Sequence, residues 1–178
     1  MDLREKKTVR NINNAFLELR AKKPLEKITV KELAETAEIS KATFYLHYKD
    51  VYDLSDRLQH DALHRMISDI DDPLIFINDP VAAHRILQLA FESCRSLLNI
   101  LFSGAQESLL PLCIEQELKS VLFRAKPELR SDIQMNVRLS FLLMGVFHAY
   151  IQNCKQFDPE NVSSALEELL LQYTRSSY

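Results

Sequence analysis

Apolar side chains recur at spacings of three and four residues along almost the whole chain. This spacing places them on one side of an α-helix, which has about 3.6 residues per turn. Apolar residue types make up 47 % of the 178 residues, and only two residues are glycine. A chain of this length can bury a sizeable core. The sequence therefore predicts an all-α fold of about nine helices.

Proline, glycine and capping residues divide this pattern into segments. Pro24 stops the first segment, Asp50 caps a long fourth helix, and Asp71-Asp72-Pro73 ends it. Asp79-Pro80 has the form of an N-cap followed by proline at the first helical position. We expect helices over residues 4–23, 30–36, 41–47, 50–72, 80–93, 95–103, 107–125, 128–154 and 159–174.

The second and third predicted helices form the most informative pattern. Thr29 precedes Glu32 by three residues, as in a capping box, in which each side chain satisfies a backbone N–H at a helix start. A few residues later, Ser40 caps a third helix of barely two turns. Two short helices separated by about three residues are the sequence form of a helix-turn-helix.

The third helix carries side chains suited to nucleic acid. Lys, Thr, Tyr and His between Lys41 and His47 can donate hydrogen bonds to phosphates or base edges, and the small Ala42 permits close approach. Phe44 and Tyr48 lie four residues apart, as anchors to a core would. The alternative, a small bundle core with exposed polar residues, does not account for both caps and the short turn.

Charge is divided unevenly along the chain. Residues 1–49 contain 11 Lys and Arg against 7 Asp and Glu, a net charge of +4, whereas the whole chain carries −3. The remainder therefore carries −7. A basic first part on an acidic body suits a protein that meets phosphate with one end.

The segment ITVKELAETAEISKATFYLHY, residues 28–48, resembles the N-terminal domain of the TetR family of bacterial transcription regulators. The resemblance extends over residues 8–58. It implies a helix-turn-helix DNA-binding domain over 1–49, a connecting helix over 50–72, and a C-terminal helical bundle for effector binding and dimerisation over 73–178. It also implies a ligand-responsive repressor, with an unknown small-molecule effector, that binds a palindromic double-stranded DNA operator as a homodimer through its last two helices.

The resemblance also assigns roles to single residues. Thr29 would meet a phosphate, and Ser40 caps the helix that reads the DNA. Lys41, Ala42 and Tyr45 would face the major groove. The residues expected to hold the DNA backbone on either side are Thr43, His47 and Lys49.

Two positions depart from the family pattern. The family turn commonly has glycine where this chain has Glu38, so the turn either avoids a positive φ or accepts strain of about 1 kcal/mol. The family often has a phosphate-binding lysine where this chain has Val51. Nonspecific affinity would then depend on Lys49 and on the basic residues Arg4, Lys6, Lys7 and Arg10.

The second domain offers weaker candidates. An effector pocket is expected near Phe91, Cys94, Phe141, Met144 and His148, although His148 also fits a satisfied core histidine. His60 and His64 lie four residues apart and could share a metal with Asp56 or Asp61, but a solvated helix face explains them better.

Several function classes are disfavoured. The sequence contains no glycine-rich phosphate loop, nucleophile elbow or HExxH motif, so we expect neither an enzyme nor a cofactor. No apolar run is long enough to span a membrane, and residues 1–14 do not form a signal peptide, so a cytoplasmic protein is expected. Cys94, Cys113 and Cys154 are expected to be reduced thiols. A second hypothesis is a TetR-like co-activator or protein-interaction module with weak or partner-dependent DNA binding.

Overall fold

The computed structural model describes residues 3–68 and 70–176. The structure is 83 % helical, with nine α-helices and no strand in these ranges, which confirms the predicted all-α class. Short 3₁₀ turns occur at Leu25–Lys27, Gly104–Leu109 and Pro127–Ser131. The α-helices are α1 (Leu3–Arg20), α2 (Val30–Thr36), α3 (Lys41–Tyr45), α4 (Val51–Ser68), α5 (Ile75–Asn78), α6 (Pro80–Leu101), α7 (Leu110–Ala125), α8 (Ile133–Asn153) and α9 (Pro159–Ser176).

Some helix boundaries differ from the prediction. The helices expected over 80–93 and 95–103 form the single helix α6, because neither glycine nor a second proline interrupts Pro80–Leu101. The seventh helix begins only at Leu110, with Pro111 in its first turn, where the missing N–H of proline has no cost. The eighth begins after Asp132, whose carboxylate accepts a hydrogen bond from the Met135 N–H at 3.0 Å.

The chain forms two compact units. The first consists of Met1–Ala62 and Arg95–Ser108, and the second of Leu63–Cys94 and Leu109–Tyr178. Helices α4 and α6 therefore contribute residues to both units. The domain boundaries predicted from the sequence, 1–49, 50–72 and 73–178, divide the chain by the expected role of each segment, and they stay predictions.

The core of the first unit follows the apolar periodicity. Helix α2 packs against α1 and α3. Ile12, Phe16, Leu33, Phe44 and Leu54 are completely buried. Burial of side chains of this size stabilises a fold by about 1.5–3 kcal/mol each.

One charged residue is also buried in the first unit. The Arg20 guanidinium donates to the carbonyl oxygen of Ser103 at 2.7 Å and to that of Lys23 at 3.2 Å. Burial lowers the pKa of Arg20. Because Lys23 follows α1 and Ser103 follows α6, Arg20 links two distant segments of the chain.

In the second unit, α8 packs against both α7 and α9. Leu118 and Leu122 of α7, Leu139 of α8 and Leu170 of α9 are almost fully buried. No helix in the described ranges is both long and apolar enough to span a membrane.

Candidate functional site

The turn between α2 and α3 has a defined hydrogen-bond pattern. The Ile39 N–H donates to the Ala34 carbonyl at 3.0 Å, and the Glu38 N–H donates to the Glu35 carbonyl at 3.2 Å. This is the Schellman arrangement, which requires a left-handed residue after the helix. Glu38 occupies that position with φ of 56°. The turn therefore accepts the strain that the sequence left as one of two alternatives.

Both predicted helix caps are present. Thr29 Oγ1 accepts a hydrogen bond from the Glu32 N–H at 3.3 Å, and Ser40 Oγ accepts one from the Thr43 N–H at 3.0 Å. The reciprocal half of the predicted capping box is wrong, because the Glu32 carboxylate pairs with the Lys23 ammonium instead. An ion pair competes successfully with the backbone N–H for that carboxylate.

Helix α3 is held from its inner side by two aromatic residues. Phe44 is completely buried, and its ring centroid lies 5.7 Å from that of Tyr48. The Tyr48 hydroxyl donates to Asn13 Oδ1 at 3.0 Å, and the Arg57 guanidinium lies 5.2 Å from the Tyr48 ring centroid. The predicted anchoring positions of Phe44 and Tyr48 are thus confirmed.

The helix itself ends earlier than expected. It ends at Tyr45 rather than at His47. The backbone nevertheless continues to turn, since the Leu46 N–H bonds to the Ala42 carbonyl and the Tyr48 N–H to the Phe44 carbonyl. Residues 41–47, the segment expected to read DNA, therefore turn as a helix does throughout. The side of this segment that faces away from Phe44 does not pack against the core.

The outer face of α3 presents the predicted reading residues. Lys41 and Ala42 are exposed, and 57 % of the Tyr45 surface is accessible. Leu46, which is not among the predicted reading residues, is 82 % exposed. Its position four residues after Ala42 was the available signal, since residues with this spacing share a helix face.

Polar groups flank this face. Ser40 Oγ and Thr43 Oγ1 lie 2.9 Å apart, so one hydroxyl donates to the other and a single hydroxyl proton remains for an outside acceptor. Thr29 and Lys49 are exposed, whereas His47 is half-buried. Neither Lys41 nor Lys49 forms an ion pair with any residue in the described ranges.

The start of α4 lies next to this face in sequence. Asp50 Oδ1 accepts from the Asp53 N–H at 2.8 Å, which confirms the predicted cap. The Lys49 N–H donates to Asp53 Oδ2 at 2.9 Å, and this bond, aided by Arg57, lowers the pKa of Asp53. Val51 is buried and belongs to the core. The basic residues named for nonspecific affinity lie exposed on the first turns of α1: Arg4, Lys6, Lys7 and Arg10.

The second unit contains a cavity of about 80 Å³. It is lined mainly by apolar side chains of α6 and α8, including Phe91. Cys94, Phe141, Met144 and His148, which the sequence places in an effector pocket, do not line this cavity, and their role in binding an effector stays a prediction.

The position of Phe141 and His148 outside this cavity has a simple cause on α8. The cavity is lined by Leu142, Val146 and Tyr150, whereas Phe141 is 67 % exposed and His148 is also exposed. The sequence shows apolar residues around most of this helix, so it does not reveal which side faces inward. The alternative, that His148 is a core histidine, is wrong because this side chain is exposed.

The remaining candidates are the two histidines of α4 and the three cysteines. His60 is exposed, and His64 Nδ1 lies 2.7 Å from Glu117 Oε1. The described residues contain no cluster of three or more side chains able to hold a metal. Cys94, Cys113 and Cys154 are half-buried thiols, and burial raises the pKa of Cys94.

No protein-family model, curated protein or solved structure matches this chain.

Proposed function

We propose that this chain is a sequence-specific DNA-binding transcription regulator of the TetR type, acting as a ligand-responsive repressor and a homodimer on a palindromic operator. The observation that carries the proposal is the two-sided character of α3. Phe44 is completely buried on its inner side, while Lys41, Ala42 and Tyr45 are exposed on its outer side.

The outer face has the chemistry that a major groove requires. Lysine donates to the O6 and N7 acceptors of guanine, and small or apolar side chains contact the thymine methyl group. Lys41 supplies the donor, and Ala42 and Leu46 supply apolar contacts. Tyr45 adds a hydroxyl that reaches phosphate or a base edge.

The flanking groups suit the phosphate backbone. Lys49 supplies an ammonium group, the Ser40–Thr43 pair retains one hydroxyl proton, and Thr29 is exposed at the start of α2. The net charge of +4 on residues 1–49 favours approach to DNA. Val51 provides no charge at the start of α4, so Lys49 carries more of the nonspecific affinity.

The homodimer accounts for an apolar stripe on α8. Ile133, Val137 and Phe141 follow one another at intervals of four residues and are 79 %, 63 % and 67 % exposed. Leu169 of α9 is 61 % exposed as well. Contiguous exposed apolar surface on helices marks an interaction site, and a twofold pairing of α8 and α9 with their copies would cover it.

Effector control would act through helices shared by the two units. Met66 of α4 and several α6 residues line the cavity of the second unit, and α4 begins two residues after Lys49. A ligand that binds better to one position of α4 would shift the population of DNA-binding conformers.

The test is the affinity for duplex DNA as a function of salt. Duplexes bound by the protein are selected from a random pool, and their dissociation constants are measured by fluorescence anisotropy. Lys41→Ala should weaken binding by about tenfold to a hundredfold and relax selectivity at one base position. Lys49→Ala should weaken all duplexes similarly and reduce the salt slope by about 1.

The matched control is Lys155→Ala, which removes an equal charge from an exposed residue of the second unit. It should leave the affinity unchanged. Equal losses in all three variants would indicate nonspecific charge attraction. A protein that selects no duplex at all would instead favour the interaction-module hypothesis.

A further inference from the structure

The cavity in the second unit contains an ordered chain of polar groups within an otherwise apolar wall. His84, Gln88 and Tyr150 line it. His84 and Tyr150 are 9 % and 5 % exposed, so their polar atoms lie in a poorly solvated environment. In such a setting the direction of each hydrogen bond decides what the site can recognise.

The directions follow from counting protons. Ser163 Oγ donates to Gln88 Oε1 at 2.5 Å, which uses the only hydroxyl proton of Ser163. His84 Nε2 lies 3.1 Å from Ser163 Oγ, which has no second proton to donate, so His84 must be the donor in that pair. The neutral imidazole therefore carries its proton on Nε2.

The chain continues away from His84. The Gln88 amide donates to the Tyr150 hydroxyl at 3.4 Å, and that hydroxyl donates to Glu92 Oε1 at 3.0 Å. Every donated proton in this series of hydrogen bonds thus points towards the Glu92 carboxylate. His84 Nδ1 is left as a lone-pair acceptor at the opposite end, and no described residue donates to it.

The rest of the cavity defines the size and charge of an occupant. The described lining residues include no lysine, arginine, aspartate or glutamate. Burial, which outweighs the neighbouring Glu167 carboxylate, lowers the pKa of His84 and keeps the ring neutral near pH 7. A charged ligand would lose its hydration without gaining a counter-charge. A volume of about 80 Å³ accommodates the apolar body of a molecule with a few non-hydrogen atoms.

We infer that this cavity binds a small neutral alcohol-like molecule, whose apolar body contacts α6 and α8 and whose single hydroxyl donates to His84 Nδ1. The role of such a molecule as the effector rests on the proposed function. Its binding does not, and is measured on the protein without DNA.

Three probes test the inference: 1-butanol, 2-butanone and butyrate. Saturable shifts of the methyl NMR signals of Leu87, Leu142 and Val146 report occupancy. We expect 1-butanol to bind with a dissociation constant in about the millimolar range. Butanone, which has as many non-hydrogen atoms but no donor, should bind about twofold to tenfold more weakly. Butyrate should bind more than about tenfold more weakly.

Three variants test the location of the site and the direction of its hydrogen bonds. Ala83→Leu fills the cavity and should weaken butanol binding more than about tenfold, whereas Ala82→Leu, at a neighbouring position outside the lining, should not. Ser163→Ala removes the acceptor that fixes the His84 proton on Nε2. It should bring the affinities for butanol and butanone towards equality. This result remains informative even if Ala83→Leu disturbs folding.

The inference is overturned if butyrate binds as tightly as butanol, if Ala83→Leu and Ala82→Leu behave alike, or if no lining methyl shows a saturable shift. Loss of DNA binding alone would not affect these measurements. The failure of the regulator hypothesis is therefore distinguishable from the failure of the ligand site.

Discussion

At the scale of single residues, Glu38 has the least favourable backbone conformation for its side chain. Its φ of 56° lies in the left-handed region, which costs an L-residue about 1–2 kcal/mol and glycine nothing. Glu38→Gly should therefore stabilise the protein by about 1 kcal/mol, after allowance for the larger entropy of glycine in the unfolded chain. Urea unfolding measures the change.

Glu35→Gly is the matched control for that substitution. Glu35 is an exposed residue of the same type in the last turns of α2, where φ is helical. Glycine there should destabilise the protein by about 1 kcal/mol. If both substitutions destabilise the protein, the left-handed conformation of Glu38 is contradicted.

His84 predicts a pH dependence of stability. Its pKa in the folded protein lies below the ordinary value of 6.5, mainly because of burial, with Arg85 lowering it further and Glu167 opposing both. The unfolded chain thus binds the proton more readily than the folded protein. The contribution of His84 to stability is therefore fully present above pH 6.5 and is lost as the pH falls from there through the lower pKa of the folded protein. The free energy of unfolding should decrease less between pH 7.5 and 5.5 in His84→Gln than in the wild type, as urea titrations at each pH will show. Parallel decreases in both proteins would contradict this assignment.

Single residues were predictable where the signal was local. Thr29, Ser40 and Asp50 cap helices as expected, since a cap depends on residues three positions away. Glu32 was mispredicted because its partner, Lys23, lies nine positions earlier. The polar chain of His84 and Ser163 joins residues 79 positions apart, and no sequence spacing could have indicated it.

At the scale of elements, α3 is defined by the contrast between neighbouring residues. Phe44 is completely buried, whereas Tyr45 is 57 % exposed. Phe44→Ala should destabilise the protein by about 3–5 kcal/mol. Tyr45→Ala should cost about 1 kcal/mol or less, the value of its edge contact with Phe44. Thermal unfolding of the two variants would contradict this orientation of α3 if their losses were similar.

Helix boundaries and faces differed in how far they could be predicted. The bounds of α2 matched because caps and a short turn define them. The division of α6 at Cys94 was wrong, since no residue there breaks a helix. The inward face of α8 could not be predicted, because Phe141 and Leu142 are both apolar and only packing decides which of them is exposed.

At the scale of the whole molecule, the proposed homodimer depends on the α8 stripe. Val137→Glu places a charge at its centre and should convert the dimer to a monomer without lowering the thermal stability of the monomer fold, because Val137 is 63 % exposed. Sedimentation velocity measures the change. Leu89→Glu, at a 72 % exposed position of α6, is the control and should leave the dimer intact. A wild-type monomer, or equal effects of both variants, would contradict the proposed interface.

The proposed contact between the outer face of α3 and DNA bases can be mapped by amide NMR. The ¹⁵N-labelled protein is titrated with a duplex selected from a random pool. If α3 contacts the bases, the largest shifts should occur at Thr29 and within residues 40–49, including Lys41, Tyr45 and Leu46. Shifts confined to residues 109–176, or no shifts with any selected duplex, would contradict it.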